Sequence, residues 1–127
     1  MKIGVLAVQG AFIEHEHMIE EIGHTAIEIR QRDDLERLDG LILPGGESTV
    51  QGQLLNKLDM MKDIKNMISN GLPTLATCAG LILLSEHIAD DDTVHIGTLP
   101  VTIKRNAYGR QLSSFVTNAD IKHIGNY

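Results

Sequence analysis

The chain of 127 residues, 43% hydrophobic and 22% charged, has the size and balance of one globular domain able to bury a core. Its formal charge of −6 and pI near 5.4, with no basic run, argue against nucleic-acid and anionic-membrane partners. One cysteine leaves no internal disulfide framework and suits a reducing compartment, so a cytoplasmic location is expected.

The apolar opening, Ile3 to Val8, breaks too early for a signal peptide or a membrane span and reads as a buried strand. Gln9-Gly10 turns it into a helix over about residues 11–22. There Ala11, His15, Met18 and Ile22 share one face, and Gly23 closes the helix. A second strand follows from Thr25 to Ile29. Leu41-Ile42-Leu43 is a short third strand, stopped by Pro44-Gly45-Gly46. Glu47-Ser48-Thr49 opens a helix through about Leu58, with Ser48 or Thr49 as its cap.

A further helix spans about 60–69 and carries Met60, Met61, Ile64, Met67 and Ile68 as a core stripe. Thr74 to Thr77 is the fourth strand, and Ala79 to His87 reads as a nearly all-apolar helix. Residues 89–97, with Asp90-Asp91-Asp92, read as a solvated loop rather than a metal site. Val101 to Lys104 and Leu112 to Thr117 look like later strands. Strands this uniformly apolar, alternating with helices, predict an α/β fold: a mostly parallel sheet covered by helices on both faces.

Sites in doubly wound sheets form at the carboxyl ends of the strands. Three turns fall there: Gln9-Gly10, Gly45-Gly46-Glu47-Ser48 and Thr77-Cys78-Ala79-Gly80. Cys78 has two readings, a small core residue or a nucleophile on a strand-to-helix elbow. On the elbow, the helix N-terminus favours the reactive thiolate, and the Ala79 N–H becomes an oxyanion donor. Gly80 would permit close approach of backbone to a ligand. Gly45-Gly46 is either a nest of N–H groups for an anion or simply a tight turn. No phosphate-loop pattern is present.

The stretch LILPGGEST (41–49), followed by TCAG (77–80), resembles the class I glutamine amidotransferases. Within them the chain is similar to the glutaminase subunit of pyridoxal 5′-phosphate synthase, the PdxT/SNO family. IGVLAVQG (3–10) and RNAYGRQ (105–111) match that family's other signatures in order. The resemblance implies a three-layer, flavodoxin-like domain over residues 1–127. It also implies hydrolysis of L-glutamine to glutamate and ammonia, with no cofactor or metal, for a TIM-barrel synthase partner. By the same resemblance Cys78 is the nucleophile, and the N–H groups of Gly46 and Ala79 form the oxyanion hole. Gly46, Glu47, Ser48 and Arg105 then contact glutamine, and Gln9-Gly10 lines the site near the synthase.

Two departures from the family pattern stand out. Ala76 replaces the glycine that usually begins the elbow. The late His-x-Glu pair that activates the family's thiol occurs nowhere in this sequence, which ends at Tyr127, before that motif. The chain is therefore expected to represent the N-terminal two-thirds of the domain and to hydrolyse glutamine poorly or not at all. No other histidine offers a base. His87, nine residues past Cys78, falls on the opposite face of a continuous helix. His15 and His17 face apart, His24 reads as surface, His95 lies in the acidic loop and His123 near the terminus. His15, beside Glu14 as in a family Glu-His pair and on the apolar face, reads as a half-buried structural residue ahead of the catalytic alternative. A truncated homologue that only binds the synthase is the alternative. A PfpI-type hydrolase of the same fold is a weaker one, against which LILPGGEST and RNAYGRQ count.

Overall fold

The computed structural model describes residues 1–107 and 115–126. Its centre is a four-stranded, all-parallel sheet in the order β2-β1-β3-β4. The strands are β1 (Lys2–Leu6), β2 (Thr25–Ile29), β3 (Gly40–Leu43) and β4 (Thr74–Ala76). Chain connections run outward from β1 in one direction to β2 and in the other to β3 and β4. The crevice between β1 and β3 is therefore the topological switch point of the sheet. In register, Ile3 to Val5 pair with Gly40 to Ile42, and Leu41 to Leu43 pair with Thr74 to Ala76. Every residue of β3 is buried, as a strand covered on both faces must be.

Helix α1 (Phe12–Glu21) covers one face, over a small core of Val5, Ile19 and Ile42. Helices α2 (Ser48–Lys57), α3 (Met61–Ser69) and α4 (Ala79–Leu84) accompany the main core on the other. That core includes Leu6, Leu43, Leu55, Met60, Ile64 and Leu83. The methionine stripe belongs to it: Met60 and Ile64 are fully buried, and Met61, Met67 and Ile68 pack against them. The α1 side is thinner, and Leu75 on β4 stands 56% exposed. No helix among the described residues is long and apolar enough to cross a membrane.

Several elements differ from the sequence reading. Helix α1 buries Ile19 and half-buries Phe12, His15 and Glu16, while Met18 and Ile22 of the expected stripe are exposed. Two apolar stripes overlap in FIEHEHMIEE, and glutamates flank both, so periodicity alone picks the wrong one. Gly23, at φ +84°, does end the helix, with the His24 N–H reaching back to the Ile19 carbonyl at 3.0 Å. The cap of α2 is Glu47, not Ser48 or Thr49. Its carboxylate accepts from the N–H groups of Thr49 (3.2 Å) and Val50 (2.8 Å).

The helix expected to run to His87 stops at Leu84, and Ser85–Ile88 form strand β5. The Leu83 carbonyl there accepts from the N–H groups of Ile96 and Gly97, and the Ser85 hydroxyl bonds back to the Ile82 carbonyl. A continuous apolar run fits either period, and β6 (Leu99–Ile103) decides it by pairing with β5 in parallel. The register slips between Ser85 and His87, with the extra residue in β6, where Pro100 has no N–H to give. His87 is thus an exposed strand residue. Of the strand expected over Leu112 to Thr117, positions 112–114 lie outside the described residues, and Phe115 to Thr117 belong to no strand. Strands β7 (Asp120–Ile121) and β8 (Gly125–Asn126) form a short antiparallel pair.

Candidate active site at the sheet switch point

Three turns leave the carboxyl ends of β1, β3 and β4 and meet. The turn after β1 is locked to the turn after β3: the Ala11 N–H donates to the Gly45 carbonyl at 3.0 Å, and the Glu47 N–H donates to Gln9 Oε1 at 2.9 Å. Gly10 sits at φ +108°, and a Cβ there would lie 2.1 Å from the Gly45 oxygen, so only glycine fits. A Cβ on Gly46 would lie 2.5 Å from Gln9 Oε1. The side chain of Gln51, fully buried on α2, completes the lock by donating to the Gln9 carbonyl at 3.0 Å and the Pro44 carbonyl at 3.4 Å.

Cys78 stands on the third turn, between β4 and α4. Its backbone has φ +48° and ψ −109°, a conformation L-residues rarely adopt and one that clusters at functional sites. The side chain is exposed, which removes the core-residue reading. The turn is held from both sides. The Thr77 N–H donates to the Leu43 carbonyl at 3.1 Å, and the Cys78 carbonyl accepts from Leu81 and Ile82. Gly80 serves packing rather than ligand approach, since a Cβ there would lie 2.1 Å from the Leu43 oxygen. That contact seats α4 directly on β3. Ala76, in the place of the family's glycine, pairs in regular register with Leu43 and packs half-buried against the main core.

A cleft of about 560 Å³ opens beside the thiol, and Gly46, Glu47, Ser48, Cys78, Ala79 and Arg105 all line it. These are the six residues named from sequence for nucleophile, oxyanion and substrate contacts. A Cβ on Gly45 would lie 3.6 Å from the Cys78 Cβ, so the glycine backbone faces the thiol-bearing residue at van der Waals range. The N–H groups of Gly46 and Ala79 have no protein acceptor among the described residues. Both are therefore free to donate to an oxyanion. Ser48 is buried, whereas Gly46 and Glu47 are open to the cleft mouth.

Hydrogen bonds from the Val50 and Thr49 N–H groups, helped by Arg105, hold the Glu47 carboxyl below the ordinary carboxylate range. Arg105 lies within 3.9 Å of Asp91, and its Nε is buried without an acceptor. Burial, then the charge of Arg105, pushes the His95 imidazole below its ordinary value. No histidine lines the cleft among the described residues, and no group of three or more His, Cys, Asp or Glu stands together as a metal site among them. Positions 108–111 of the RNAYGRQ stretch lie outside the described residues.

Gln51 and Asp91 were not singled out from sequence. Gln51 shares its buried face with Ser48, Gly52 and Leu55, so that face carries little apolar signal. Asp91 was read with its neighbours as solvent-facing.

The comparisons with known proteins agree with this fold. The pyridoxal 5′-phosphate synthase subunit PdxT of Desulfitobacterium hafniense is 55% identical over 126 residues, 98% of this chain and 63% of the relative. The PdxT subunits of Haemophilus influenzae and Streptococcus pneumoniae are 51% and 49% identical over 129 residues, and 67% of each is matched. The chain thus spans a little under two-thirds of the Desulfitobacterium relative's length. A solved crystal structure of a glutamine amidotransferase superposes with a TM-score of 0.90 at 36% identity, over 98% of this chain and 67% of that one. The model of the SNO glutamine amidotransferase family matches residues 5–127, and the chain belongs to that family.

Proposed function

We propose that the chain is one amidotransferase-like domain that binds L-glutamine at the Cys78 cleft. It would act as the glutaminase part of a pyridoxal 5′-phosphate synthase. The observation that carries the reading is the meeting in one cleft of an exposed thiol at φ +48°, two free backbone donors and a buried-edge arginine. Cys78 Sγ attacks the side-chain carboxamide carbon, and the developing oxyanion accepts from the N–H groups of Ala79 and Gly46. As the C–N bond breaks, the nitrogen takes up a proton and leaves as ammonia, and a γ-glutamyl thioester remains. Water then cleaves the S–C bond and gives glutamate. Arg105 pairs with the substrate α-carboxylate, while Glu47 and Ser48 shape the mouth. The reaction needs no cofactor. The ammonia is passed to a TIM-barrel synthase subunit docked near Gln9-Gly10.

Proton transfer to and from the thiol needs a base, and no histidine lines the cleft among the described residues. We therefore place the base outside the described residues, which alone would turn over glutamine poorly or not at all. The same observation favours a second reading, in which the chain only docks on the synthase.

The test combines equilibrium dialysis of L-glutamine with ammonia release in the presence of the synthase subunit, against a Cys78→Ala control. The glutaminase reading expects saturable glutamine binding, weakened by Arg105→Ala, with little ammonia. Cys78-dependent turnover would overturn the expectation of little activity. Loss of all glutamine binding would overturn the glutaminase reading and leave the docking module.

A further inference from the structure

Arg105 does not rest on the cleft wall unaided. The strand that delivers it ends at Ile103, and the neighbouring β5 ends at Ile88, paired directly with Ile103. The chain after β5 turns back at once. The Ala89 N–H donates to the Ile103 carbonyl at 2.8 Å, and the Asp91 N–H to the Ile88 carbonyl at 3.2 Å. That tight return brings Asp91 Oδ2 to 3.9 Å from an Arg105 Nη2. Asp91 Oδ1 meanwhile accepts from the Thr93 N–H at 2.9 Å, which fixes the carboxylate plane.

The far end of the loop is fixed as well. Ile96 is fully buried in the main core, with its N–H on the Leu83 carbonyl. The His95 ring packs close against Gly52, where a Cβ would come within 2.2 Å of Nδ1. The acidic loop is thus pinned at both ends and aims one of its three carboxylates at Arg105, which with Lys104 lines the cleft. Hydrogen bonds from Thr93 hold Asp91 below the ordinary carboxylate range, so it is ionised at neutral pH.

We propose that Asp91 is the positioning residue for Arg105. It holds the guanidinium at the wall of the Cys78 cleft so that its charge faces the carboxylate of an amino-acid substrate. Only the identity of that substrate rests on the glutaminase reading.

The test uses the sole cysteine as reporter. The rate of Cys78 alkylation by iodoacetate, an anion, is divided by the rate with neutral iodoacetamide. Arg105→Gln lowers this ratio. Asp91→Asn, which keeps an acceptor for Thr93, lowers it about two- to fivefold, the range a partly exposed ion pair supports. In the Arg105→Gln background Asp91→Asn lowers it no further, and Asp91→Glu restores part of the loss. Removing a negative charge without moving Arg105 would instead raise the ratio. A ratio that rises or stays level in Asp91→Asn, or that ignores Arg105→Gln, overturns the proposal. Repeating the iodoacetamide arm with L-glutamine separates the two readings. If the ratio responds as stated but glutamine never protects Cys78, the positioning role stands and the glutamine assignment falls.

Discussion

The amide nitrogen of Gln51 lies 3.0 Å from the Gln9 carbonyl oxygen and 3.4 Å from that of Pro44. One fully buried side chain thereby ties the turn after β1 to the turn after β3 across the switch point. Neither turn has secondary structure of its own to hold it, so the spacing of the Gln9-Gly10 and Gly45-Gly46 backbones depends on this tie together with the Ala11–Gly45 and Glu47–Gln9 bonds. Replacing Gln51 with Leu leaves the buried Pro44 carbonyl and the part-buried Gln9 carbonyl without that donor and is expected to cost about 1–3 kcal/mol. Chemical denaturation measures the loss. Weakened glutamine protection of Cys78, beyond that of an equally destabilised core variant, shows that the tie also sets the site.

Gly80 marks where α4 rests on β3. A methyl group there would sit 2.1 Å from the Leu43 oxygen, and backbone cannot yield as a side-chain tip can. Gly80→Ala is expected to destabilise by about 1–3 kcal/mol or more and to move the Cys78 elbow. Thermal melting reads the first effect, and a changed alkylation rate at Cys78 reads the second.

Glu47 offers a pH prediction with a definite sign. Its folded-state pKa is lowered, chiefly by the hydrogen bonds it accepts from Val50 and Thr49. Its contribution to stability is therefore complete above the ordinary carboxylate value near 4.5 and is lost as pH falls through the lower folded value. Melting curves from pH 7 to pH 3 should show the wild type losing more stability than Glu47→Gln does. At pH 7 the variant should melt a few degrees lower, and the gap should close in acid. Parallel profiles for the two proteins would contradict the capping role.

Ile64 on α3 has no solvent exposure. Its truncation to Ala removes three buried carbons and leaves a cavity between α3 and the sheet, at a cost of about 2–5 kcal/mol. Urea titration is expected to give that loss with little change in the Cys78 alkylation rate of the folded protein, because α3 does not reach the cleft.

Much of the site was legible in the sequence because it lies on turns, where residue type is dictated by backbone geometry. Gly10, Gly45-Gly46 and the Cys78-Ala79-Gly80 elbow each follow a short apolar strand, and parallel strands bring their carboxyl ends to one edge. What stayed hidden depends on tertiary partners. The run from Leu81 to Ile88 fits helix or strand, and only the pairing of Ile88 with Ile103 makes its second half a strand. Helix α1 offers two overlapping faces, and the sheet selects the one through Ile19. Gln51 is an inward polar residue with no apolar period to flag it. Asp91 looks like its two acidic neighbours until the turn at Ile88 aims it at Arg105.

The most direct measurement is the rate at which iodoacetamide modifies Cys78, read by intact mass, with rising L-glutamine. The account predicts a single adduct whose formation is slowed saturably by L-glutamine, much less by D-glutamine, and more weakly by L-glutamine in Arg105→Gln. An adduct rate indifferent to L-glutamine at every concentration would contradict it, for the cleft beside the exposed thiol would then not be a glutamine site.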